Sequence, residues 1–424
     1  MSTPPATCDI AIVGGGMVGA SLAAMLASAN PQWKITLLEA HPLPEASGAK
    51  GYQPSFDARA SALAYGSTTL LDDLGLWSHL VQHATPITRV HISDRGHLGG
   101  SQVDAAEQGL PALGYVVENA WLGQVLMAHL QAQPQVDMRA PVAVRALTPR
   151  RGGYRLQLES REGDESLDCQ LAIVVDGADS PLRAALGIEA DVRDYAQTAM
   201  IANIGLSRPH GGIAYERFTP EGPLALLPLG DSPSGRRAAL VWTQPGRCVD
   251  ALLAESEADC LSRLQNAFGW RLGRFEKLGE RHAYPLHLVQ AREQVRSHLV
   301  IAGNAAHLLH PVAGQGFNLA LRDCACLTEV LCEGVRAGEP LGQLRRLQDY
   351  TRRQAQDQAL TTAFSDQLVR LFSTESLPHA ALRHLGLLGL DWVPVAHRSF
   401  AARAMGRGGR RSRWHSPSEQ GVRQ

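Results

Sequence analysis

The amino-terminal segment carries the pattern that decides the fold, since residues 8–39 read CDIAIVGGGMVGASLAAMLASANPQWKITLLE. An apolar run that predicts a buried strand leads into a glycine-rich turn, and an Ala/Leu-rich helical stretch follows. A second apolar run then ends in an acid, Glu39, which lies 20 residues after Gly19. With the G-x-G-x-x-G spacing, this order is typical of a βαβ unit that binds a dinucleotide. The sequence therefore predicts a Rossmann-like α/β domain.

Each special position of this unit has a predicted task. Gly14 makes the tight turn, Gly16 leaves room for a pyrophosphate, and Gly19 allows close packing of helix on strand. The N-terminus of the helix offers free N–H groups to the phosphates. Glu39 is placed to accept hydrogen bonds from an adenosine ribose, which favours FAD or NAD over NADP. The alternative, that the glycines merely form a turn, is disfavoured because the strand, the helix and the acid are all present.

Composition limits the class of protein. The chain has 424 residues, of which 45% are hydrophobic and 19% charged, and its formal net charge is −1. These values are typical of a globular protein with room for two domains and predict no nucleic-acid partner. Seven cysteines without a C-x-x-C pair favour a reducing compartment over a disulfide framework or a metal site. We expect neither a secretory signal nor a membrane span, and hence a cytoplasmic protein.

A second motif follows a predicted strand at residues 171–175. Asp176 and Gly177 come directly after it, and Ser180 and Pro181 are residues that favour a helix start. Asp176 therefore lies at the carboxyl end of a strand, where open α/β sheets bind ligands. Taken alone, it is more simply explained as a turn residue.

A third motif lies three-quarters of the way along the chain, where residues 303–318 read GNAAHLLHPVAGQGFN. A strand-like run precedes it, and a long helical pattern leaves it. Its glycines allow the backbone to approach a flat or anionic group, and the helix start behind them has positive partial charge. We predict that this loop holds a redox cofactor whose other end is bound by the first forty residues.

The remaining pattern predicts an inserted second domain, because strands separated by Gly/Pro turns between the second and third motifs indicate an antiparallel sheet. The predicted segments are a cofactor domain at residues 6–85, 114–192 and 291–340, a sheet domain at 86–113 and 193–290, helices at 341–400, and a basic tail at 401–424. We expect the tail to be disordered and solvated, with contact to anionic lipid as the alternative.

Residues 57–74 are predicted to form a helix, with Arg59 in its first turn. A cation is unusual there because the helix dipole favours acids. Arg59 either points at a phosphate or substrate or is a solvated arginine, and the spacing favours neither alternative.

The three motifs together, in this order, resemble single-component FAD-dependent aromatic hydroxylases with the para-hydroxybenzoate-hydroxylase-like fold. Four stretches resemble one branch of this family, the enzymes that hydroxylate 2-polyprenyl-6-methoxyphenols in ubiquinone biosynthesis. They are YERFT at 215–219, GPLALLP at 222–228, FGWRLG at 268–273 and HPVAGQGFN at 310–318. The broad family usually has Asp where this chain has Asn304. The ubiquinone branch is similar to this sequence at that position.

The resemblance implies roles for individual residues. The implied FAD-binding residues are Gly14, Gly16 and Gly19 for the pyrophosphate, Glu39 for the ribose, Arg59 and Gln124 for the diphosphate and ribityl region, Val144 for adenine, Asp176 and Gly177 near the cofactor and the NADPH approach, Asn304 for the ribityl phosphate, and Gly314, Gln315, Gly316 and Phe317 for the flavin ring. The candidate catalytic residues are Arg59, Tyr215, His310 and Pro311. A purely structural role is the alternative for each of them.

The resemblance also implies the chemistry. NAD(P)H, a transient co-substrate, reduces the flavin, O₂ adds at C4a to give a hydroperoxide, and its distal oxygen is transferred to the ring of a polyprenyl phenol. The sheet domain is expected to form the pocket wall opposite the flavin, with residues 224–228 lining part of a groove for the tail. Peripheral contact with the cytoplasmic face of the inner membrane, and a complex with other ubiquinone-pathway enzymes, are left open. The alternatives are another ring position, another aromatic substrate, or a non-catalytic assembly or lipid-presenting subunit.

Overall fold

A computed structural model describes residues 5–43, 59–95, 100–161, 163–233, 235–311 and 314–373, without the side chains of 368–373. The predicted basic tail and the predicted helices beyond residue 373 lie outside these ranges.

The described residues form strands and helices in the following order along the chain. The strands are β1 (Ala6–Val13), β2 (Ile35–Leu38), β3 (Ala60–Ala64), β4 (Ala84–Ile87), β5 (Arg89–Asp94), β6 (Gly100–Asp104), β7 (Gly114–Glu118), β8 (Val136–Arg139), β9 (Val142–Arg150), β10 (Gly153–Ser160), β11 (Gly163–Val174), β12 (Ala190–Leu206), β13 (Ile213–Thr219), β14 (Gly222–Ser232), β15 (Gly235–Pro245), β16 (Phe275–Leu278), β17 (His282–Ala291), β18 (Val295–Arg296), β19 (Leu299–Ile301) and β20 (His307–Leu308). The helices are α1 (Met17–Ala29), α2 (Tyr65–Asp73), α3 (Trp77–Leu80), α4 (Asn119–Gln131), α5 (Pro181–Ala185), α6 (Gly246–Ala254), α7 (Glu257–Phe268), α8 (Gln315–Arg336) and α9 (Leu344–Ser373).

The first sheet is built on five parallel strands in the order β8–β2–β1–β11–β19, with β18, β10 and β9 added antiparallel at its margins. In chain order the parallel strands run 3-2-1-4-5, so the strand order reverses at β1. Open α/β sheets bind ligands at the carboxyl ends of strands beside such a reversal. Buried side chains of α1, α4, α8 and α9 pack together on this sheet in one hydrophobic core.

The second sheet has the order β20–β17–β12–β15–β14–β13–β5–β6, with β16 paired to β12. Its strands are antiparallel except for the parallel pair β5–β13. One face is covered by α6 and α7, whose apolar side chains pack with those of β12, β14 and β15. The opposite face packs on the small sheet β3–β7–β4, through Ala214 and Ala239 on one side and Ala60, Ala62 and Val116 on the other. The second sheet is therefore a layer between its own helices and the cofactor domain.

These features confirm the predicted fold class: a Rossmann-like domain interrupted by a largely antiparallel sheet, with helix α9 near the carboxyl end of the described chain. The predicted helix start is wrong, however, because Ala60–Ala64 form β3 and α2 begins only at Tyr65. Strand β3 pairs antiparallel with β7 along its whole length. Alanine favours a helix by only about 0.5 kcal/mol per residue over many alternatives, so a tertiary ladder with Leu63 fully buried outweighs that preference.

A buried ion pair connects the second sheet to the cofactor domain. Arg237 of β15 donates from Nη2 to Oε1 of Glu118 at the end of β7, over 2.6 Å, and the two side chains are only 1% and 5% exposed. Arg237 also donates from Nε to the Gly230 carbonyl at 3.0 Å. A charge this deep in the protein is tolerated only with such partners, so the pair fixes the two layers to each other.

Candidate active site

The first glycine loop has two positions that exclude side chains and one that faces open space. A Cβ added to Gly14, whose φ is +114°, would lie 2.6 Å from the Val175 oxygen, and one added to Gly19 would lie 1.9 Å from the Gly14 oxygen. Gly16 immediately precedes α1, and an added Cβ there would meet nothing within 4 Å. The N-terminus of α1 is thus open to an approaching anion at Gly16.

Glu39 lies directly beside this loop. Its Oε2 accepts a hydrogen bond from the N–H of Gly15 at 2.7 Å, and its Oε1 accepts one from the N–H of His41 at 2.9 Å. Each carboxylate oxygen can accept a further bond, for example from a ribose hydroxyl. Strand β9 begins next to Glu39, because the N–H of Val142 donates to the Glu39 carbonyl at 2.8 Å. Glu39, predicted to bind the ribose, therefore lies beside the start of the strand that carries Val144, predicted to bind adenine.

The second motif meets the first at the ends of β1 and β11. A Cβ on Gly14 would lie 3.2 Å from Cα of Asp176. Both carboxylate oxygens of Asp176 are shielded from water and have no hydrogen-bond partner among the described residues. Burial raises the pKa of Asp176, while the nearby Ser180 hydroxyl, backbone N–H groups and Arg183 lower it, although none of them meets the carboxylate in full hydrogen-bonding geometry. An orphaned carboxylate beside a glycine loop indicates that a bound group supplies the missing donors.

The third motif is held against the first two. Gly303 has a φ of +57°, and a Cβ added there would lie 3.1 Å from Cγ1 of Val18 in the first turn of α1. Arg183 is buried, and its Nη1 donates to the carbonyls of Ala305 at 2.7 Å and Ala178 at 3.0 Å. Asn304 is exposed in the short 3-10 turn that these contacts position. Gly177, with φ +106°, has open space where a Cβ would be.

The start of α8 is tied to β3. Gly314 precedes the helix with a φ of +59°, and a Cβ there would lie 3.3 Å from Cβ of Ala62. Asn318 donates to the carbonyls of Gly314 at 2.7 Å and Ala62 at 2.8 Å, and it accepts from the N–H of Ala64 at 2.8 Å. Sequence reasoning assigned Asn318 no role, because its partners on β3 lie some 250 positions away.

The residues predicted for the flavin ring occupy the first turn of α8. Gly316 is half-buried, and an added Cβ would meet nothing within 4 Å. Gln315 and Phe317 flank it in the first turn, where backbone N–H groups have no partner inside the helix. The preceding residues 312 and 313, to which the prediction also extended, lie outside the described ranges.

Arg59 links the cofactor domain to β17 of the second sheet. It is exposed, and its Nη1 donates to the Tyr284 hydroxyl at 2.7 Å, with the guanidinium carbon 5.6 Å from the centre of the tyrosine ring. A cation at this distance from an aromatic ring is attracted to it. Gln124 is half-buried on α4, and no described residue forms a hydrogen bond with its side chain.

Strand alternation separates the residues of β13. Tyr215 makes an edge-to-face contact with Phe268 of α7, at 5.4 Å between ring centres, and Arg217 donates from Nε to the Ala267 carbonyl at 3.0 Å. Ala214, by contrast, packs on the cofactor domain. The structure therefore places Tyr215 on the helix side of the sheet and away from the glycine loops. This placement gives no support to the predicted catalytic role of Tyr215, which stays a prediction, since successive side chains of a strand point to opposite faces.

Residues 224–228 divide in the same way. Leu224 and Leu226 are fully buried in the cluster with α6 and α7. Ala225 and Leu227 are only half-buried and point to the face that carries Ala214. Only the second pair is placed to line a groove next to the cofactor domain.

The structure does not bring His310 into open space. Its side chain is 1% exposed, its ring meets the Tyr195 ring edge-to-face at 5.3 Å, and the Ser365 hydroxyl donates to its carbonyl at 3.2 Å. Burial lowers the pKa of His310 to about 4, so the ring is neutral and a weak base at pH 7. Pro311 accepts a hydrogen bond from the N–H of Gly314 at 2.9 Å. These contacts give both residues structural tasks in the turn.

His307 is likewise structural. Its Nε2 is hydrogen-bonded to Asp323 of α8, whose other oxygen accepts a bond from Nε2 of Gln354 in α9 at 2.6 Å. This buried chain of polar groups holds the third loop against both helices.

The described ranges contain no group of three or more His, Cys, Asp and Glu residues placed to hold a metal ion. They also contain no helix that is both long enough and apolar enough to cross a membrane.

The three loops fit an FAD molecule. Gly16 leaves space at a helix N-terminus for the diphosphate, Glu39 retains acceptors for the ribose, and Asp176 lacks the donors that a sugar or ribityl hydroxyl supplies. The start of α8 provides N–H groups for the edge of a ring.

Comparison with known proteins agrees with this geometry. The family described as FAD binding domain matches residues 7–363. The chain is 36% identical to ubiquinone hydroxylase UbiL of Rhodospirillum rubrum, over 94% of this chain and 89% of that protein. It is 34% identical to 3-demethoxyubiquinol 3-hydroxylase of Escherichia coli, over 94% of this chain and 98% of that protein.

A solved structure shares the fold. The p-nitrophenol 4-monooxygenase PnpA from Pseudomonas putida superposes with a TM-score of 0.76 at 20% identity, covering 96% of this chain and 100% of that one. The chain therefore belongs to the FAD binding domain family and is an FAD-dependent monooxygenase.

Proposed function

We propose that the protein hydroxylates the aromatic ring of a 2-polyprenyl-6-methoxyphenol in ubiquinone biosynthesis, using FAD, NAD(P)H and O₂. The observation that carries this proposal is an apolar face in the middle of the second sheet, on the side of the cofactor loops. Ile201, Ala225, Leu227 and Val241 lie on the inner strands of that sheet and are nevertheless only half-buried. Inner-strand side chains that are not covered by protein mark space for a ligand, and an apolar lining suits a prenyl chain.

The residues of the chain have separate tasks in this reaction. When bound, FAD supplies the activated oxygen that is transferred to the ring. The loops at Gly16, Glu39 and Asp176 hold the cofactor, and the N-terminus of α8 offers positive partial charge to the ring edge. The apolar sheet face orients the phenol and keeps water from the reacting atoms.

The names of the relatives support the pathway, and one of them supplies a second candidate substrate. One relative is named for hydroxylation of 3-demethoxyubiquinol at position 3, and that quinol is a different substrate from a 2-polyprenyl-6-methoxyphenol. The second candidate function is therefore hydroxylation of the demethoxyubiquinol ring.

The decisive experiment compares the two phenols on purified holoprotein. We expect a flavin absorption spectrum, and NAD(P)H oxidation that accelerates with the 2-polyprenyl-6-methoxyphenol and yields the hydroxylated ring by mass spectrometry. Faster, coupled turnover with the demethoxyubiquinol would instead select the second candidate. A protein that takes up no FAD, or that oxidises NAD(P)H without hydroxylating either phenol, would refute the proposed function.

We further propose a cytoplasmic protein with peripheral contact to the inner membrane, where polyprenyl phenols reside. Trp270 supports this because it is 66% exposed and is followed by the exposed Arg271, a pairing suited to a lipid–water interface. Trp270→Ala should lower cosedimentation with anionic vesicles. Leu360→Ala, at another exposed apolar side chain, should leave it unchanged, and an equal loss in both variants would contradict the proposed contact.

A complex with other enzymes of the pathway is a separate proposal, supported only by the shared lipid-soluble intermediates. Pull-down of the tagged protein from detergent-solubilised membranes, followed by detection of pathway enzymes, tests it. Recovery of the protein alone would contradict it.

A further inference from the structure

Glu216 lies at the centre of the sheet face that is turned toward the cofactor domain. Strand register places it in one transverse row, whose members are Ile92, Glu216, Ala225, Val241 and Ile201. Two residues earlier on the same strand and the same face, Ala214 packs with Ala60 and Ala62 of β3. Ala62 in turn is the residue against which Gly314 is seated at the start of α8. Glu216 therefore lies on the sheet face that is turned toward β3 and the start of α8.

The carboxyl of Glu216 has no charged or hydrogen-bonding partner among the described residues. The residue as a whole is half-buried, and burial raises the pKa of its carboxyl to about 7. Titratable or charged groups on this face and on the strands opposite are Asp94, His282, Tyr284, Arg59 and the Arg237–Glu118 pair, and none of them is bonded to Glu216. A carboxyl left without a partner beside a ligand space is costly for folding and therefore calls for a ligand role.

We propose that Glu216 receives the phenol hydroxyl of the substrate and takes its proton during hydroxylation. This inference rests on the proposed function and names the catalytic base within it. The O–H bond of the phenol breaks, and a new O–H bond forms on the Glu216 carboxylate. The electron pair left on the phenol oxygen spreads to the ortho and para carbons and makes the ring a better nucleophile. No electrons are gained or lost in this step, and the oxygen atom and reducing equivalents come from O₂ and NAD(P)H.

The position and chemistry of Glu216 suit this role better than the neighbouring alternatives do. A general base acts best when its pKa lies near the working pH, which this carboxyl satisfies. Tyr215 points to the opposite face, and His310 is enclosed against Tyr195. Strand β13 is held on both sides by its ladder, which fixes the backbone of Glu216 and the face on which its side chain lies.

The test compares three holoprotein variants: Glu216→Gln, Glu216→Asp, and Glu221→Gln at the exposed turn of the same hairpin. In the unsubstituted protein, coupled hydroxylation should rise with pH through about 7, because only the ionised carboxylate accepts the proton. Glu216→Gln should lower this rate by about 100-fold or more and abolish the rise. It should still bind FAD and oxidise NAD(P)H, with H₂O₂ as the product. Glu216→Asp should keep the pH dependence at a reduced rate, and Glu221→Gln should match the unsubstituted protein.

A second readout does not depend on turnover. Without O₂, the infrared band of a protonated carboxyl should titrate near pH 7 and be missing from Glu216→Gln. Addition of the phenol should move that titration to lower pH, because its O–H donates to the carboxylate, whereas the methyl ether of the phenol, which has no O–H to donate, should not lower it. An unchanged pH profile and coupling in Glu216→Gln would overturn the inference and leave the proposed function standing. Absence of hydroxylation in the unsubstituted protein would instead refute the function itself.

Discussion

Two side chains of the site lower the stability of the folded chain until a ligand binds. Asp176 has shielded carboxylate oxygens without donors, and Glu216 has a carboxyl amid apolar side chains. In a site evolved for folding alone, both would be replaced by apolar residues or receive partners. The roles proposed for them, toward a cofactor and a substrate, give each unfavourable group a reason to be kept.

We predict that an acidic substitution at Gly16 abolishes cofactor binding and leaves folding intact. Gly16→Asp should fold, because an added Cβ meets no atom within 4 Å, but its carboxylate would repel the diphosphate at the N-terminus of α1. Flavin absorbance per mole of protein should fall to near zero, with an unchanged far-ultraviolet circular dichroism spectrum. Gly246→Asp, which adds the same charge at the start of α6, should keep full flavin content.

Gly16→Asp also tests the non-catalytic alternative. If cells that depend on this variant still made ubiquinone although the variant binds no FAD, the protein would serve the pathway as an assembly or lipid-presenting subunit. Loss of ubiquinone together with loss of flavin is the expected result.

His310 gives a pH-dependent stability. The unfolded chain takes up a proton near pH 6.5, whereas the folded chain resists protonation until about pH 4. The free energy of unfolding should therefore fall by about 3 kcal/mol as pH decreases through this window, at roughly 1.4 kcal/mol per unit of pKa difference.

Urea unfolding at a series of pH values measures this loss. His310→Gln should show a smaller decrease between pH 6.5 and pH 4 than the unsubstituted protein. His79→Gln, at an exposed histidine of α3, should decrease as the unsubstituted protein does. An equal decrease in the free energy of unfolding for all three proteins would contradict the lowered pKa of His310.

At the residue scale, the orientation of the side chains of β13 could be predicted only in part from the sequence. Alternation along β13 predicts that Tyr215 and Glu216 face opposite ways, but it does not say which face meets the cofactor. That depends on the packing of α7 against one side, through the contact of Phe268 with Tyr215. The glycine and acid positions of the first loop were readable because their spacing alone implies a conformation.

At the scale of elements, the start of α8 depends on one side chain. Asn318→Ala would remove the bonds to Gly314, Ala62 and Ala64 and leave buried backbone groups without partners. We predict a decrease of about 3 kcal/mol in the free energy of unfolding, since each unsatisfied buried group costs about 1–3 kcal/mol and the losses overlap.

Urea unfolding measures this loss, and flavin content should fall with it because the helix start carries the predicted ring contacts. Asn266→Ala, on the exposed side of α7, should change stability by less than about 0.5 kcal/mol. A stable Asn318→Ala protein with full flavin content would show that β3 and α8 are held together by other contacts.

Among the elements, β1, α1, β2 and α8 follow local pattern and were predictable from it. Strand β3 was not, since its alanines favour a helix when read alone and its partner strand β7 lies about fifty residues further along. Pairing between distant segments is decided by tertiary structure, which a local window does not contain.

For the whole molecule, the Arg237–Glu118 pair is the contact that we expect to join the two layers most strongly. Arg237→Met alone should lower the free energy of unfolding by about 3–5 kcal/mol, because it removes the cation that pairs with the buried Glu118 carboxylate. Adding Glu118→Gln should recover much of this loss, since the remaining amide is neutral.

A double-mutant cycle by urea unfolding measures the coupling between Arg237 and Glu118. Near-additive losses in the free energy of unfolding would show that the Arg237–Glu118 pair does not hold the two layers together. Glu189→Gln paired with Arg292→Met, at an exposed ion pair, is the matched control and should change stability by less than about 1 kcal/mol.

The insertion of one domain into another has a consequence for how the protein is made. Strand β19 pairs with β11, and Gly303 is seated against Val18, so the flavin-binding site is closed by residues that leave the ribosome long after the first loop. The growing chain must keep β1, α1 and β2 soluble while the whole second sheet is synthesised. A chain truncated before residue 318 should therefore bind no FAD. We expect FAD to bind after the whole site has been synthesised, and not to the first third of the nascent chain.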